Sequence, residues 1–372
     1  MRRLFSLTGG SDDCKRGQMS ERVYGVGIIG CGRVAWLLDQ DPLIANKPVT
    51  HMGAYLRADR TKVVAAADIQ INRLHAFSKE FGIESVYLDY EEMLDRERLD
   101  IVSICAYAPD RYRMVVDAVN AGVKGIWCEK AFATSLEEAE AMAALCEKEG
   151  VTLIIDHSRR WTPDYLHARR LLEAGAIGRP ISVVSHFSGS MVHTGTHAFD
   201  VLRFFFGEGS WVEASLESRK EEDRTSPQHI KRVIQDDVGG YALITFKNGV
   251  YATVHGASKG YFLFEFDIMG MEGRLRIGNY LFELYETAVS EREQGLRELR
   301  FRDTGEWSAE NPFVAAVHHL IECMEGRSEN ISGPRDGMAA LEIALAIQES
   351  HLRGGSRVYL PLQERDLRVM SR

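Results

Sequence analysis

The sequence has no long apolar run: its apolar stretches last a few residues, far short of the ~20 that a membrane-spanning helix needs. It has no sustained basic block either, and the net charge is −9. Both facts argue against nucleic acid or an anionic membrane as the main partner. Cys-x-x-Cys pairs are absent, and the six cysteines, at 14, 31, 105, 128, 146 and 323, are scattered. They read as small core residues of a protein in a reducing cytoplasm, not as a disulfide framework. No internal repeat is present. Arg2-Arg3 lacks the apolar stretch that a twin-arginine export signal requires. Residues 1–20 therefore read as a disordered extension, with Met19 as an alternative start.

What is present is an ordinary globular balance, 45% hydrophobic and 27% charged, in a chain long enough for two cores. The rest is organised around VYGVGIIGCGRVA at 23–35. A β-branched run suited to a buried parallel strand stops at Gly30-Cys31-Gly32, and a helical pattern starts at Arg33-Val34-Ala35. This is the G-x-G-x-x-G/A spacing of a dinucleotide site. Gly30 permits a tight turn, Gly32 lets backbone N–H groups approach a pyrophosphate, and Ala35 lets the helix lie close on the strand. A helix N-terminus there would favour the phosphates. Gly30, Gly32, Arg33 and Val34 are the expected cofactor contacts.

Two prolines within 39–48 mark an insertion before a helix resumes at 51–56. Strands follow at 62–68, 100–106, 125–128 and 151–156, alternating with helices such as 111–121. Thr134-Ser135-Leu136-Glu137 opens another helix as a capping box. Alternation of this kind means a doubly wound parallel sheet, and residues 21–156 form the first domain. Residues 157–372 differ. Strands at 181–187, 239–246, 250–255, 265–270 and 274–277 run in series, with Lys247-Asn248-Gly249 as a hairpin turn. A helix capped by Asn311-Pro312 follows at 312–324, and another at 336–353. This is an α+β domain with one sheet face covered. The charged stretch 217–237 reads as a surface excursion.

These segments together resemble the Gfo/Idh/MocA family of nicotinamide-dependent oxidoreductases. The resemblance rests on GIIGCGRVA at 27–35, 63–68, Cys128-Glu129-Lys130, HSRRWTP at 157–163, HTGTHAFD at 193–200, DDVGGYALITFKNG at 236–249 and GPRDGMAALEIALAIQES at 333–350. It implies an N-terminal Rossmann domain and a C-terminal domain with a large, mainly antiparallel open sheet. The site lies between them, substrates are sugars, cyclitols or sugar derivatives, and the sheet is an oligomer interface. The chain departs from the family pattern in three places. Ala131 replaces the proline of Glu-Lys-Pro, Tyr112 stands for a histidine, and His193 stands for an aspartate four residues before His197. A cis bond before Ala131 would cost ~3 kcal/mol, so trans is expected.

Lys130 follows an apolar strand at the carboxyl edge of the sheet, where ligands bind. A solvated surface lysine is the commoner fate of this residue type, but its place here favours an active-site cation. Ala106, Pro109 and Glu129 share that edge and are candidate cofactor contacts. His193, His197 and Asp200 fall at i, i+4 and i+7, one helix face. Their alternatives are a zinc pair and plain helix capping. Thr194 stands where the zinc motif needs glutamate, so no metal is expected and acid–base chemistry is favoured. His157 is a candidate substrate contact. Arg159 and Trp161 are candidate cofactor contacts, with interdomain packing an equal alternative.

The expected activity is hydride transfer between a secondary alcohol and NAD, with a non-catalytic sensor of dinucleotide or sugar as the rival. By resemblance His197 is the base, while Lys130 orients the hydroxyl and stabilises the alkoxide. The alternative is a lysine of lowered pKa with His197 only positioning. His193 cannot anchor an imidazolium, so Asp200 is the candidate anchor. Asp68 ends the second strand, where an acid hydrogen-bonds the ribose 2′-hydroxyl and repels a 2′-phosphate. NAD is therefore expected over NADP, and Arg73 is the nearby cation that could reverse the preference. A homodimer or homotetramer is expected through the second sheet, with Tyr241, Leu243, Thr245, Tyr251 and Thr253 as candidates for its outer face.

Overall fold

The computed structural model describes residues 22–217, 233–257, 260–305, 307 and 310–370. The expected extension at 1–20 and most of the charged stretch 217–237 lie outside the described residues. The first domain carries strands β1 (Tyr24–Ile29), β2 (Thr61–Ala67), β3 (Ser85–Tyr87), β4 (Ile101–Ile104), β5 (Gly125–Cys128) and β6 (Thr152–Ile155). All pair in parallel, in the order β3-β2-β1-β4-β5-β6. The order reverses between β1 and β4, which places a crevice at their carboxyl ends. Between the strands lie α1 (His51–Arg57), α2 (Ile71–Phe81), α3 (Tyr90–Arg96), α4 (Ala108–Asn120) and α5 (Leu136–Glu149). The Ser135 hydroxyl caps α5 by accepting from Glu138 N–H, and Gly150 ends it in the left-handed region.

The second domain begins with α6 (Pro163–Glu173), β7 (Pro180–Ser188), α7 (Gly195–Phe206) and β8 (Gly209–Leu216). Then come β9 (Val233–Ile234), β10 (Gly240–Phe246), β11 (Tyr251–Ala257), β12 (Phe264–Gly270), β13 (Gly273–Gly278), β14 (Leu281–Val289) and β15 (Arg297–Arg302). Helices α8 (Pro312–Met324) and α9 (Pro334–Leu352) and short β16 (Val358–Tyr359) and β17 (Arg368–Val369) follow. Nine strands form one sheet, antiparallel except for the β7–β11 pair. The 247–249 turn joins β10 to β11 as the sequence predicts, with Gly249 at φ +88°. Helix α8 packs back on the first sheet: Val317 and Leu320 share a core with Trp127 and Ile154.

Three local expectations change. The segment after the glycine loop is a turn followed by a single 3-10 turn at Leu37–Gln40, not an α-helix. Its amides fold back on Gly32 and Arg33, and α1 then docks through His51 N–H to Val34 and Met52 N–H to Ala35. An α-helix begins only at His51, after the insertion. His193 lies on the turn before α7, not on its face. The Lys130–Ala131 peptide is cis rather than trans. The carbonyl of Ala131, in the next peptide unit, accepts from the buried Arg111 guanidinium, a tertiary contact that local cost does not count.

Candidate active site

The glycine loop has the shape of a phosphate cradle. Gly30 sits at φ +90°, and a Cβ there would meet the Cys105–Ala106 backbone at 3.1–3.3 Å. The ends of β1 and β4 therefore touch, which brings Ala106 beside the loop. At Gly32 a Cβ would meet nothing closer than an Arg73 guanidinium nitrogen at 3.9 Å. The amides of Gly32, Arg33 and Val34 donate to no described protein group, so they remain available to a pyrophosphate. Asp68 is pinned against the loop: one carboxylate oxygen accepts from Cys31 N–H and the other from Gln70 N–H, each at 2.7 Å. Pro109 lies in the first turn of α4, at the same edge. These residues fit a dinucleotide. When bound, NAD would supply the hydride acceptor, and the amides of Gly32, Arg33 and Val34 would hold its phosphates.

Lys130 leaves β5 toward the second domain. Its Nζ donates to the His193 carbonyl at 2.9 Å and lies 3.5 Å from His193 Nδ1. Asp237 fixes that turn by accepting from the Ser190 hydroxyl and from the amides of Val192 and His193. His197 lies one turn on, its ring centroid 5.9 Å from that of His157. Its buried Nδ1 has no aligned partner. Arg159 stacks on the Phe264 ring, with its guanidinium carbon 4.1 Å from the centroid.

Burial and crowded cations shape the electrostatics. Burial brings the Lys130 pKa down to about 8; Arg111 and Arg159 push the same way and Glu129 opposes. Burial, then Arg159 and Lys130, hold His197 well below the ordinary imidazole value. His197 is therefore neutral at pH 7, while Lys130 titrates close by.

Four candidate contacts are placed behind the cleft surface instead of on it. Asp200 is 1% exposed, and both its oxygens accept from Arg160 Nε, at 2.8 and 3.0 Å. It also lies 3.2 Å from His157 Nδ1, without hydrogen-bond alignment. It anchors Arg160, not His197. Arg160 continues to Asp336, which also pairs with Arg203. His157 is buried in the same layer. Trp161 is 4% exposed and packs beside the His319 ring of α8, within the core. Glu129 turns its carboxylate inward, toward His51 Nε2 at 3.4 Å and the Lys130 amide at 3.2 Å.

Sequence reasoning missed His51, Asp156, Arg111 and Asp237. One signal was present: predicted strands β5 and β6 are each followed or ended by an acid, Glu129 and Asp156. Neighbouring parallel strands put those acids side by side. His51, Glu129 and Asp156 bring donor atoms within 4.8 Å of one another, the one such grouping among the described residues.

Comparison with known proteins agrees with this geometry. Residues 24–157 match the model of the Gfo/Idh/MocA oxidoreductase family, NAD-binding Rossmann fold, and residues 184–360 match its C-terminal alpha/beta domain. The chain is 29% identical over 329 residues to a D-apiose dehydrogenase of Paraburkholderia graminis, covering 82% of this chain and 84% of that protein. It is 24% identical over 323 residues to a scyllo-inositol 2-dehydrogenase (NAD(+)) of Bacillus subtilis, covering 81% and 90%. In three dimensions it resembles a levoglucosan dehydrogenase in complex with NADH and L-sorbose, with TM-score 0.74 at 20% identity, covering 92% of this chain and 100% of that one. With matched models over both domains and an intact glycine loop, the chain belongs to the Gfo/Idh/MocA family of NAD-binding oxidoreductases.

Proposed function

We propose that the protein oxidises a secondary alcohol of a sugar or cyclitol, reversibly, with NAD as hydride acceptor. The observation that carries this is Lys130, at the carboxyl edge of the sheet that bears the glycine loop, reaching the second domain's His193 turn, with His197 one turn on and within its electrostatic influence. The relatives named for D-apiose and scyllo-inositol support the substrate class. The chemistry needs a proton removed from oxygen as hydride leaves carbon. A neutral imidazole can accept the hydroxyl's hydrogen bond, and a lysine near 8 has the pKa suited to taking its proton in the working range. Lys130 as ammonium also stabilises negative charge on that oxygen. Of the two assignments open in the sequence, the lowered Lys130 pKa favours lysine as the group that changes charge.

Oxidation should then accelerate as pH rises through about 8, and carbonyl reduction should slow over the same range. Absorbance at 340 nm with NAD and a panel of polyols, inositols and sugars tests the reading. Tight NAD binding with no turnover of any of them would favour the non-catalytic sensor. The same proposal includes a cytoplasmic homo-oligomer joined through the open face of the nine-stranded sheet. Tyr241, Tyr251, His186 and His255 stand exposed on that face. Among the described residues no helix is long and apolar enough to cross a membrane.

A further inference from the structure

We propose that His51, Glu129 and Asp156 form a buried proton-holding unit that positions Lys130 and sets its charge, a role that rests on the hydride-transfer reading above. Three observations carry it. First, β5 and β6 are neighbours with Cys128 opposite Ile155, so the next residues, Glu129 and Asp156, emerge side by side. Both are about 5% exposed. Two carboxylates that close and that buried cannot both be ionised, so one proton stays between them. Second, His51 closes the pair from α1. Its Nε2 lies 3.4 Å from Glu129 and 3.8 Å from Asp156, and its Nδ1 is 3.1 Å from the Ser103 hydroxyl. That hydroxyl is 2.7 Å from the Tyr55 hydroxyl. The ring is clamped against Trp127, with centroids 3.8 Å apart. Third, the unit is wired to Lys130 through the main chain. The Lys130 amide donates to the second Glu129 oxygen at 3.2 Å, so the carboxylate that faces His51 also holds the backbone from which the lysine reaches His193.

The charge assignment follows from what surrounds the pair. His51 comes from α1, Arg111 from α4, Cys105 from the end of β4, Cys128 from β5, and Lys130 and Arg159 from the segments after β5 and β6. Burial raises the pKa of Glu129, but His51, Lys130 and Arg111 outweigh it and keep that carboxyl below its ordinary value. Burial, reinforced by Glu129, raises the pKa of Asp156 well above its ordinary value. Asp156 thus holds the shared proton and Glu129 holds the negative charge, directly behind Lys130. None of the three is asked to touch substrate. They are positioning residues, and their effect is read through the lysine.

The test measures the titration of Lys130 itself, by trace acetylation of the full chain from about pH 6 to 10 followed by peptide mass spectrometry. NADH fluorescence confirms that each variant binds cofactor, and the kcat–pH profile is recorded in parallel. Glu129→Gln should lower the Lys130 midpoint by ~1 unit or more, with the kcat limb moving equally. His51→Leu should move it in the same direction by less. Asp156→Asn, which replaces an already neutral acid, should leave it nearly in place. A Glu129→Gln protein that binds NADH with an unmoved midpoint overturns the proposal. So does one equivalent of a divalent metal in the purified protein. If Glu129→Gln fails to fold, the His51→Leu midpoint decides alone. A midpoint that moves as expected in a protein that oxidises no sugar refutes the hydride-transfer reading and leaves the unit's hold on Lys130 standing. Turnover with an unmoved midpoint refutes the unit and leaves the reaction standing.

Discussion

The two sheets solve the same burial problem in opposite ways. The six-stranded parallel sheet has Val26, Ile28, Val102, Ile126 and Ile154 fully buried, covered on both faces by helices that include α8 from the far end of the chain. Only its carboxyl edge is left to meet a ligand, so the glycine loop and Lys130 gather there. The nine-stranded sheet is covered on one face. Ala242, Ile244, Ala252 and Val254 point inward, while Tyr241, Tyr251 and His255 are exposed. A sheet closed on both faces concentrates chemistry at its edge, and a sheet open on one face offers area instead.

Breaking the edge should cost most. Lys130→Met and His197→Ala should each lower kcat by at least about a hundredfold, within the ~10²–10⁴ typical of a positioned acid–base group. His197→Ala should leave NAD affinity nearly unchanged. Near-normal turnover of either variant across about pH 6 to 9 would remove it from the chemistry.

The joint between the two sheets comes next. Asp200→Ala leaves buried Arg160 with Asp336 as its remaining carboxylate beside the Ile331 carbonyl, and should destabilise the fold by ~3–5 kcal/mol, read by chemical denaturation. The sign with pH is definite. Burial raises the Asp200 pKa, but His157 and Arg160 outweigh it and hold the group below the ordinary carboxylate value. Its stabilisation is present above the unfolded pKa of ~4 and is lost as pH falls below it. Asp200→Asn should flatten that acid limb; an unchanged limb would show that other carboxylates dominate.

Smaller effects sharpen the comparison. Asp68→Ala should narrow the preference for NAD over NADP in kcat/KM by roughly tenfold, about one charged hydrogen bond. A wild-type preference for NADP would instead point to Arg73. On the open face, light scattering should show a dimer or tetramer at micromolar concentration. Tyr241→Glu should split it while changing the stability of each chain by no more than ~0.5 kcal/mol. A monomeric wild type would refute the interface.

The outer face shows how far reading the sequence could go. Alternation placed Tyr241, Leu243, Thr245, Tyr251 and Thr253 on one side without saying which. In the structure they share the side away from α7 and α9, through the pairs Leu243–Thr253 and Thr245–Tyr251. Only the tyrosines stand fully out; Leu243 and Thr253 are half-buried and Thr245 is buried.

Local chemistry was enough for the glycine loop, the Asn311 cap of α8, the 247–249 hairpin and the alternation of strand and helix. Each depends on residues a few positions apart: a positive φ at Gly30 and Gly249, an Asn311 oxygen accepting two amides just downstream. Tertiary structure alone decided which charges meet. Asp200 faces Arg160 and not His197, because the turn at 158–161 wraps over α7. Glu129 faces His51, because α1 docks on the glycine loop and swings its histidine beneath β5. Partners that lie 78 and 40 residues apart are set by the order of strands and the path of the insertion. No periodicity within either segment carries that information.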